Sequence, residues 1–535
     1  MFKKHPKGLL PAALTNMGER FGFYIMMAIL TLFISAKFGL DEITTGYIYS
    51  AFYASIYILA LVGGLIADKT TNYKRTIMWG IILMAVGYFV IAIPTPTPVP
   101  NLSLYLALTC FGLLVIAFGN GLFKGNLQAL VGQMYDKQEY KDRIRKEYGV
   151  DKNGKVLDMR DSGFQLFYMF INIGAVFAPF IAIGIRNWFL KINGFDYNAQ
   201  LPELAHKFLG NAAAMSTDQL NNLQTYASEA LLDDSVVTNL TAFSNSYLDI
   251  FNKGFQYAFF ATIIALGISM VIYLVNLSKF PDPGASNVVL KKGEKIAREE
   301  VTMAADEIRQ RVYALFAVFG IVIFFWFSFH QNGYSLTYFA RDYVNLDTIN
   351  IDLRFTQIKG AEIFQSVNPF FVVFLTPIIM WIFGSLKRRD KEPSTPMKIG
   401  IGMGIAALAY VFFLVISLSL PDKSALATMS AGELSAMKLT PWVMVGMYFI
   451  LTVAELFISP LGLSFVSKVA PPHLQGIMQG AWLAATAIGN SILFIGGILY
   501  TSVPLWAAWM AFAIACGLSM IVMLSMVRWL ERVSA

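Results

Sequence analysis

A few ionisable residues interrupt otherwise apolar sequence, and they mark where this chain can handle charge. Glu455 breaks the run Met447–Leu461, with Thr452 and Ser459 expected on the same helical face. Lys124 belongs to Asn120, Lys124 and Gln128, an i, i+4, i+8 stripe that makes one face of a helix polar. Glu19 and Arg20 adjoin, and fall with Asn16, Phe23 and Met27 near one helical face. His330 follows the aromatic stretch Phe325-Trp326-Phe327-Ser328-Phe329.

A charge in mid-bilayer costs about 2.5–3.5 kcal/mol on insertion scales, so residues of this kind are candidates for function. Glu455 suits a cationic group of a solute. Lys124, about twenty residues into its apolar run, lies too deep to snorkel to an interface. A pair between these two opposite charges that breaks as a solute binds is physically sensible, since each would otherwise be buried alone. A structural reading competes at each position. Glu455 would clamp helices through an ion pair, and Glu19 with Arg20 would be a self-compensating pair that tightens packing. His330 is either a hydrogen-bonded packing residue or an imidazole that responds to protons.

These residues need membrane-spanning helices to hold them, and the sequence supplies twelve. Hydrophobic residues make up 56 % of the 535 and charged residues only 14 %, with a mean hydropathy of +0.57; soluble chains carry about 25 % charged residues. Windows of about 20 apolar residues fall at roughly 12–36, 43–66, 76–95, 102–134, 163–190, 256–277, 312–340, 362–384, 397–420, 440–467, 475–499 and 503–528. The expectation is an all-α polytopic membrane protein. No small-residue cleavage site follows the first span, so it is read as a retained helix. Cys110 and Cys516 both lie in apolar stretches, which excludes a disulfide scaffold and a cysteine metal site.

The net charge of +7 is a topology signal. With the N-terminus cytoplasmic, 29 Lys and Arg residues fall on its side of the membrane and ten on the other. Both termini are therefore expected in the cytoplasm, and nucleic acid is excluded as a partner. Residues 278–311 form a charged cytoplasmic linker that opens with Pro281 and Pro283 and continues as an expected helix from Lys291 to Arg311. It divides an N-terminal six-helix bundle, 1–277, from a C-terminal one, 312–535; residues 191–255 are a mildly acidic external insertion whose Asn239-Leu240-Thr241 sequon carries no weight alone. Such 6+6 symmetry suits two bundles rocking about a midplane site.

The stretch Gly64-Leu65-Ile66-Ala67-Asp68, followed by Lys74-Arg75, resembles the span 2–3 signature of the major facilitator superfamily. Four further stretches resemble the proton-dependent oligopeptide transporters. They are Gly18-Glu19-Arg20-Phe21-Gly22-Phe23-Tyr24, Phe164 to Ala175, Phe364-Gln365-Ser366-Val367-Asn368-Pro369 and Ala454 to Ser464. The resemblance covers essentially the whole chain. It implies the major facilitator fold in two six-helix bundles, without the two extra spans that many bacterial members carry between them.

The resemblance also implies roles. Glu455 would hold a peptide's amino terminus, and Lys124 would pair with Glu455 and help receive peptide and proton. Tyr57, Asn172, Asn368, Trp326 and Trp482 match pocket positions, alongside Phe23, Tyr24 and Ser459. Glu19, Arg20 and His330 match proton-coupling or gating positions. Asn172 and Asn368 can bind both ends of a peptide bond, or else satisfy a freed backbone group, a reading that Pro369 strengthens for Asn368. Gly63, Gly64, Gly119, Gly121, Gly125 and Gly489 are expected to let helices approach closely.

This chain departs from the family pattern at four places, one of them Phe23, which stands for a Tyr of the aromatic pair. Asn16 stands for a Glu, Met27 for the Arg that holds the peptide carboxylate, and His330 for the acid that pairs with that Arg. The expected function is alternating-access import of di- and tripeptides or close analogues, driven by protons, with no cofactor and no metal. The alternative keeps the fold but moves another zwitterion or modified peptide, or works as a facilitator or exchanger without proton coupling. No metal-ligand cluster, nucleophile motif or Walker loop supports an enzyme. The expected setting is the inner membrane of a bacterium, as a monomer.

Overall fold

The structure, a computed structural model, describes residues 4–70, 72–148, 160–233, 236–281, 305–471 and 475–534. Twelve of its helices are long and apolar enough to cross a membrane, as the hydropathy windows predict. Only helices satisfy their own backbone polar groups in lipid, so apolar sequence of this length has one solution. Spans one to six are Leu9–Phe38, Glu42–Thr70, Tyr73–Ala92, Leu102–Asp136, Arg160–Ile192 and Leu240–Val275. Span seven runs from Ala305 to Tyr343 with a 3₁₀ turn at His330–Gly333, and span eight enters through the 3₁₀ turn Ala361–Ser366 before Val367–Arg388. Spans nine and ten are Thr395–Ser417 and Trp442–Val469; span eleven combines Gln475–Ser491 and Phe494–Ser502; span twelve is Leu505–Ser534.

Polar caps set several starts. Asn72, Asn101, Asn239 and Ser394 each accept a backbone N–H of the first helical turn through the side chain. Asn239, the sequon residue, is thereby the cap of span six. That helix begins sixteen residues before the expected 256. Its first turns bury Phe243, Tyr247 and Phe251, which pack as an aromatic ladder. A hydropathy window finds only the part of a helix that lipid surrounds. The outer insertion is accordingly shorter than 191–255, and it holds two helices, Leu201–Asn211 and Thr217–Glu229. Of the linker, residues 282–304 lie outside the described set, as does most of the helix expected from Lys291; from Ala305 the chain is already in span seven.

Small residues set the closest helix approaches. A Cβ added at Gly63 would lie 2.1 Å from the Gly121 carbonyl oxygen, so spans two and four touch backbone to backbone. Gly119 also meets the backbone of span three and Gly489 that of span seven, at 2.6 and 2.8 Å from such a Cβ, as expected. Gly64 and Gly125 do not: nothing lies within 4 Å of a Cβ at either.

On the side opposite the termini, the six spans before the linker meet the six after it. Span two packs along span eleven, and span five packs against the entry turn of span eight. Phe494 donates its backbone N–H to Ser50 Oγ at 2.8 Å, and Ser35 Oγ and Tyr338 Oη lie 2.7 Å apart.

Candidate functional site

Span one brings Glu19 and Arg20 into the N-terminal bundle with both side chains buried. Arg20 Nε donates to Glu19 Oε2 at 2.5 Å and Nη2 to Oε1 at 2.7 Å, while Asn120 Nδ2 from span four donates to Oε1 at 2.8 Å. The Arg20 guanidinium also lies 4.7 Å from the centre of the Phe23 ring, itself edge-on to Tyr24. This is the self-compensating arrangement, with each charge satisfied inside the bundle. Asn16 and Met27 are buried on the same helix.

One turn from Asn120, Lys124 presents a half-buried ammonium 4.9 Å from the Tyr57 ring centre. That contact is a cation–π interaction with span two. Glu455, on span ten of the other bundle, accepts a hydrogen bond from Asn368 Nδ2 at 2.8 Å, and Asn368 also reaches Thr452 Oγ1 at 3.0 Å. The two charges therefore do not meet. Among the described residues no ion pair joins Lys124 to Glu455, and each is held by neutral neighbours of its own bundle. Each remains open to an opposite charge brought by a ligand.

The two asparagines separate. Asn368 spends its amide on the Glu455 carboxylate. Asn172 donates to the Tyr168 carbonyl oxygen one turn back on its own helix at 3.1 Å, which satisfies a backbone group. Among the described residues, Ser459 Oγ and Trp326 Nε1 are buried without a hydrogen-bond partner. Trp482 packs edge-on to Phe319 and lies over Gly462, where a Cβ would come within 2.0 Å of the indole.

His330 bridges the two bundles. Its imidazole stacks on Trp326 with ring centres 4.9 Å apart and leans on Tyr53 of span two at 4.6 Å. Nδ1 lies 2.5 Å from Asn490 Oδ1 on span eleven, whose Nδ2 has no partner. Asn490 and Tyr53 are the residues that sequence reasoning missed. Both left a trace: Asn490 is an amide within an apolar span, and Tyr49, Tyr53 and Tyr57 form an i, i+4, i+8 aromatic ladder.

Two bundles of six spans, with ionisable side chains held at their inner faces, define a protein of the major facilitator fold. The chain belongs to the POT family, whose model matches residues 74–298 and 285–504. It is 26 % identical to the peptide transporter YePEPT of Yersinia enterocolitica over 91 % of this chain and 87 % of that one. It is likewise 26 % identical to the di-/tripeptide transporter of Lactococcus lactis, over 92 % of this chain and 89 % of its relative. A crystal structure of the peptide transporter POT in complex with sulfate superposes with a TM-score of 0.68 at 22 % identity, covering 100 % of this chain and 96 % of the other.

Proposed function

We propose that the protein imports di- and tripeptides, or close zwitterionic analogues, by alternating access coupled to an inward proton gradient. The observation that carries this reading is the separation of Lys124 from Glu455. An anionic and a cationic site stand on different bundles, and neither is neutralised by the other. A zwitterion supplies the missing partner for both, and doing so draws the two bundles together around it. Glu455 with Asn368 takes the peptide ammonium, Lys124 with Tyr57 takes the carboxylate, and Trp326, Trp482, Tyr24, Phe23 and Ser459 line the space between. Asn172 is a weaker candidate because its amide is already engaged. The relatives named as peptide transporters, and bacterial in source, support peptide cargo and a bacterial inner membrane. The surplus of basic residues on their side supports a cytoplasmic location for both termini.

Proton coupling is assigned to Glu19, Glu455 and His330, three ionisable residues that the spans carry. A reading without proton coupling, or with a different zwitterion, is favoured by Asn16, Met27 and His330, which replace three ionisable residues of the family pattern. Uptake by proteoliposomes under an imposed inward proton gradient decides between them. Accumulation of a labelled dipeptide above equilibration supports the symport reading, and equilibration alone makes the chain a facilitator or exchanger.

A further inference from the structure

Alternating access, on which this inference rests, needs an outer gate that closes while the inner side opens. The positions where the family resemblance puts a gating ion pair, Met27 and His330, carry no opposite charges here. The seam at that level is filled by Tyr53, His330 and Trp326. Among the described residues, ionic contacts between the bundles occur instead farther out, in two places.

The first is Arg186, near the outer end of span five, paired with Glu362 in the entry turn of span eight; both side chains are completely buried. Arg186 also stacks at 4.0 Å on Tyr197 of the insertion and donates to the Lys359 carbonyl oxygen at 3.1 Å. Neighbouring Asn187 donates to the carbonyl oxygens of Gln357 and Lys359. The second is a cluster around Arg341 and Lys423 of the C-terminal half. Arg341 lies 3.0 Å from Glu42 at the start of span two, 3.1 Å from Glu203 of the insertion and 2.7 Å from Asp342. Lys423 approaches the same three carboxylates at 3.4, 3.5 and 2.9 Å. Tyr500 Oη donates to Asp342 at 2.8 Å, and exposed Lys207 balances Glu203 from outside.

We infer that these two ion-pair latches, Arg186–Glu362 and the Glu42–Glu203–Arg341–Asp342–Lys423 cluster, are the outer gate of this transporter, and that the insertion is a working part of it. The insertion supplies Glu203 to the second latch and Tyr197 to the first. It is fastened to the opposite half by further bonds, from Ser216 Oγ to the Ala427 oxygen at 2.6 Å and from Asn222 Nδ2 to the Met429 oxygen at 2.7 Å. An outer cavity of about 730 Å³ has Glu42, Glu203, Arg341, Asp342 and Lys423 in its wall. Breaking the cluster joins that cavity to the seam between spans two and eleven. Because Arg186, Glu362 and Glu42 find their ionic partners across the seam, and Glu203, Arg341 and Lys423 gain further ones there, these charges favour the closed seam. Stranding one of them penalises it, since a lone buried charge regains water only by opening.

The test reads the seam itself and needs neither substrate nor protons. Ser50, 1 % exposed and bonded across the seam to Phe494, is replaced by cysteine in the full-length protein in nanodiscs. Labelling by a charged maleimide is timed and corrected for protein without Ser50→Cys. Glu362→Gln strands Arg186, and Glu203→Lys sets a third cation against Arg341 and Lys423. Each should speed labelling at least about tenfold. Arg186→Met with Glu362→Leu strands no charge and should return the rate to within about threefold of the parent. If Glu362→Gln does not fold, Glu203→Lys on the accessible insertion helix decides alone. Unchanged labelling in a folded single variant, or a double variant that labels as fast as Glu362→Gln, overturns the gate. Absence of peptide uptake with these labelling shifts intact would fault the cargo and leave the gate standing.

Discussion

Lys124 and Glu455 sit on opposite bundles without forming an ion pair: the ammonium rests on the Tyr57 ring, and the carboxylate is held by Asn368. Pairing expected from sequence gives way to two separate, half-buried poles. A structural ion pair would have had little need of a ligand, whereas separated poles have a ligand-shaped deficit.

Removing either pole should abolish concentrative uptake. Glu455→Gln keeps the bond to Asn368 but loses the charge, and Lys124→Ala loses the cation outright. Both variants are expected to remain folded, since neither charge compensates another buried charge in this structure. Wild-type accumulation in either folded variant contradicts the assignment.

Asn368 should matter through Glu455. A hydrogen bond to a charged group contributes about 1.5–3 kcal/mol, so Asn368→Leu should weaken peptide binding by roughly tenfold or more. Asn172→Leu should change affinity by less than about threefold, because its amide is spent on the Tyr168 carbonyl oxygen. Equal losses in the two variants, measured by calorimetry, would remove the distinction.

Carboxylate recognition should be modest. The Arg of the family pattern is Met27 here and Arg20 is committed to Glu19, which leaves Lys124 as a point charge without a bidentate fork. Amidating a dipeptide's C-terminus should cost less than about tenfold in competition, and nothing further in Lys124→Ala. A hundredfold loss would reveal a strong carboxylate clamp elsewhere.

His330→Gln should shift the pH dependence of uptake without ending it. Gln retains an amide but cannot titrate, so whatever the imidazole stacked between Tyr53 and Trp326 contributes to the pH profile is removed. The outer latch should be indifferent to pH over the same range. Burial opposes the charge on Glu203, but Lys423, Arg341 and Lys207 outweigh it and hold the carboxyl well below its ordinary 4.5. For a depressed acid, the pairing is complete above the ordinary pKa and fails only as pH falls well beneath it. Nearby His206 is pushed down by burial, against its bond to the Ala36 carbonyl oxygen, which favours the neutral imidazole; Glu42 and Asp342 face the same two cations. Labelling at Ser50→Cys, divided by the rate of an exposed reference cysteine at the same pH so that the thiolate fraction cancels, should therefore be flat between about pH 7.5 and 5.5.

The twelve spans, the helical class and the charged residues at the site were legible because lipid makes each of them costly to disguise. Apolar length specifies a span, and a Glu or Lys within one stands out. What sequence could not convey was partner choice. Lys124 and Glu455 look complementary, yet Tyr57 and Asn368 lie nearer within their own bundles. Arg186 and Glu362, the most deeply buried ion pair, stand 176 residues apart and sit at span ends where charges are ordinary. The early start of span six was hidden because Leu240 to Phe255 mixes polar residues with the aromatics it buries against the insertion. Gly64 and Gly125 carry the same composition signal as Gly63 and Gly121, and only the helix faces they occupy tell them apart.

The division of charge between Lys124 and Glu455 is tested most directly by a binding cycle between ligand and protein. A dipeptide and its N-acetyl form are titrated calorimetrically into wild-type protein and into Glu455→Gln. Acetylation should cost the wild type at least about tenfold in affinity, and Glu455→Gln should bind the two forms within about threefold of each other. If acetylation costs Glu455→Gln as much as it costs the wild type, the peptide ammonium is held somewhere other than Glu455.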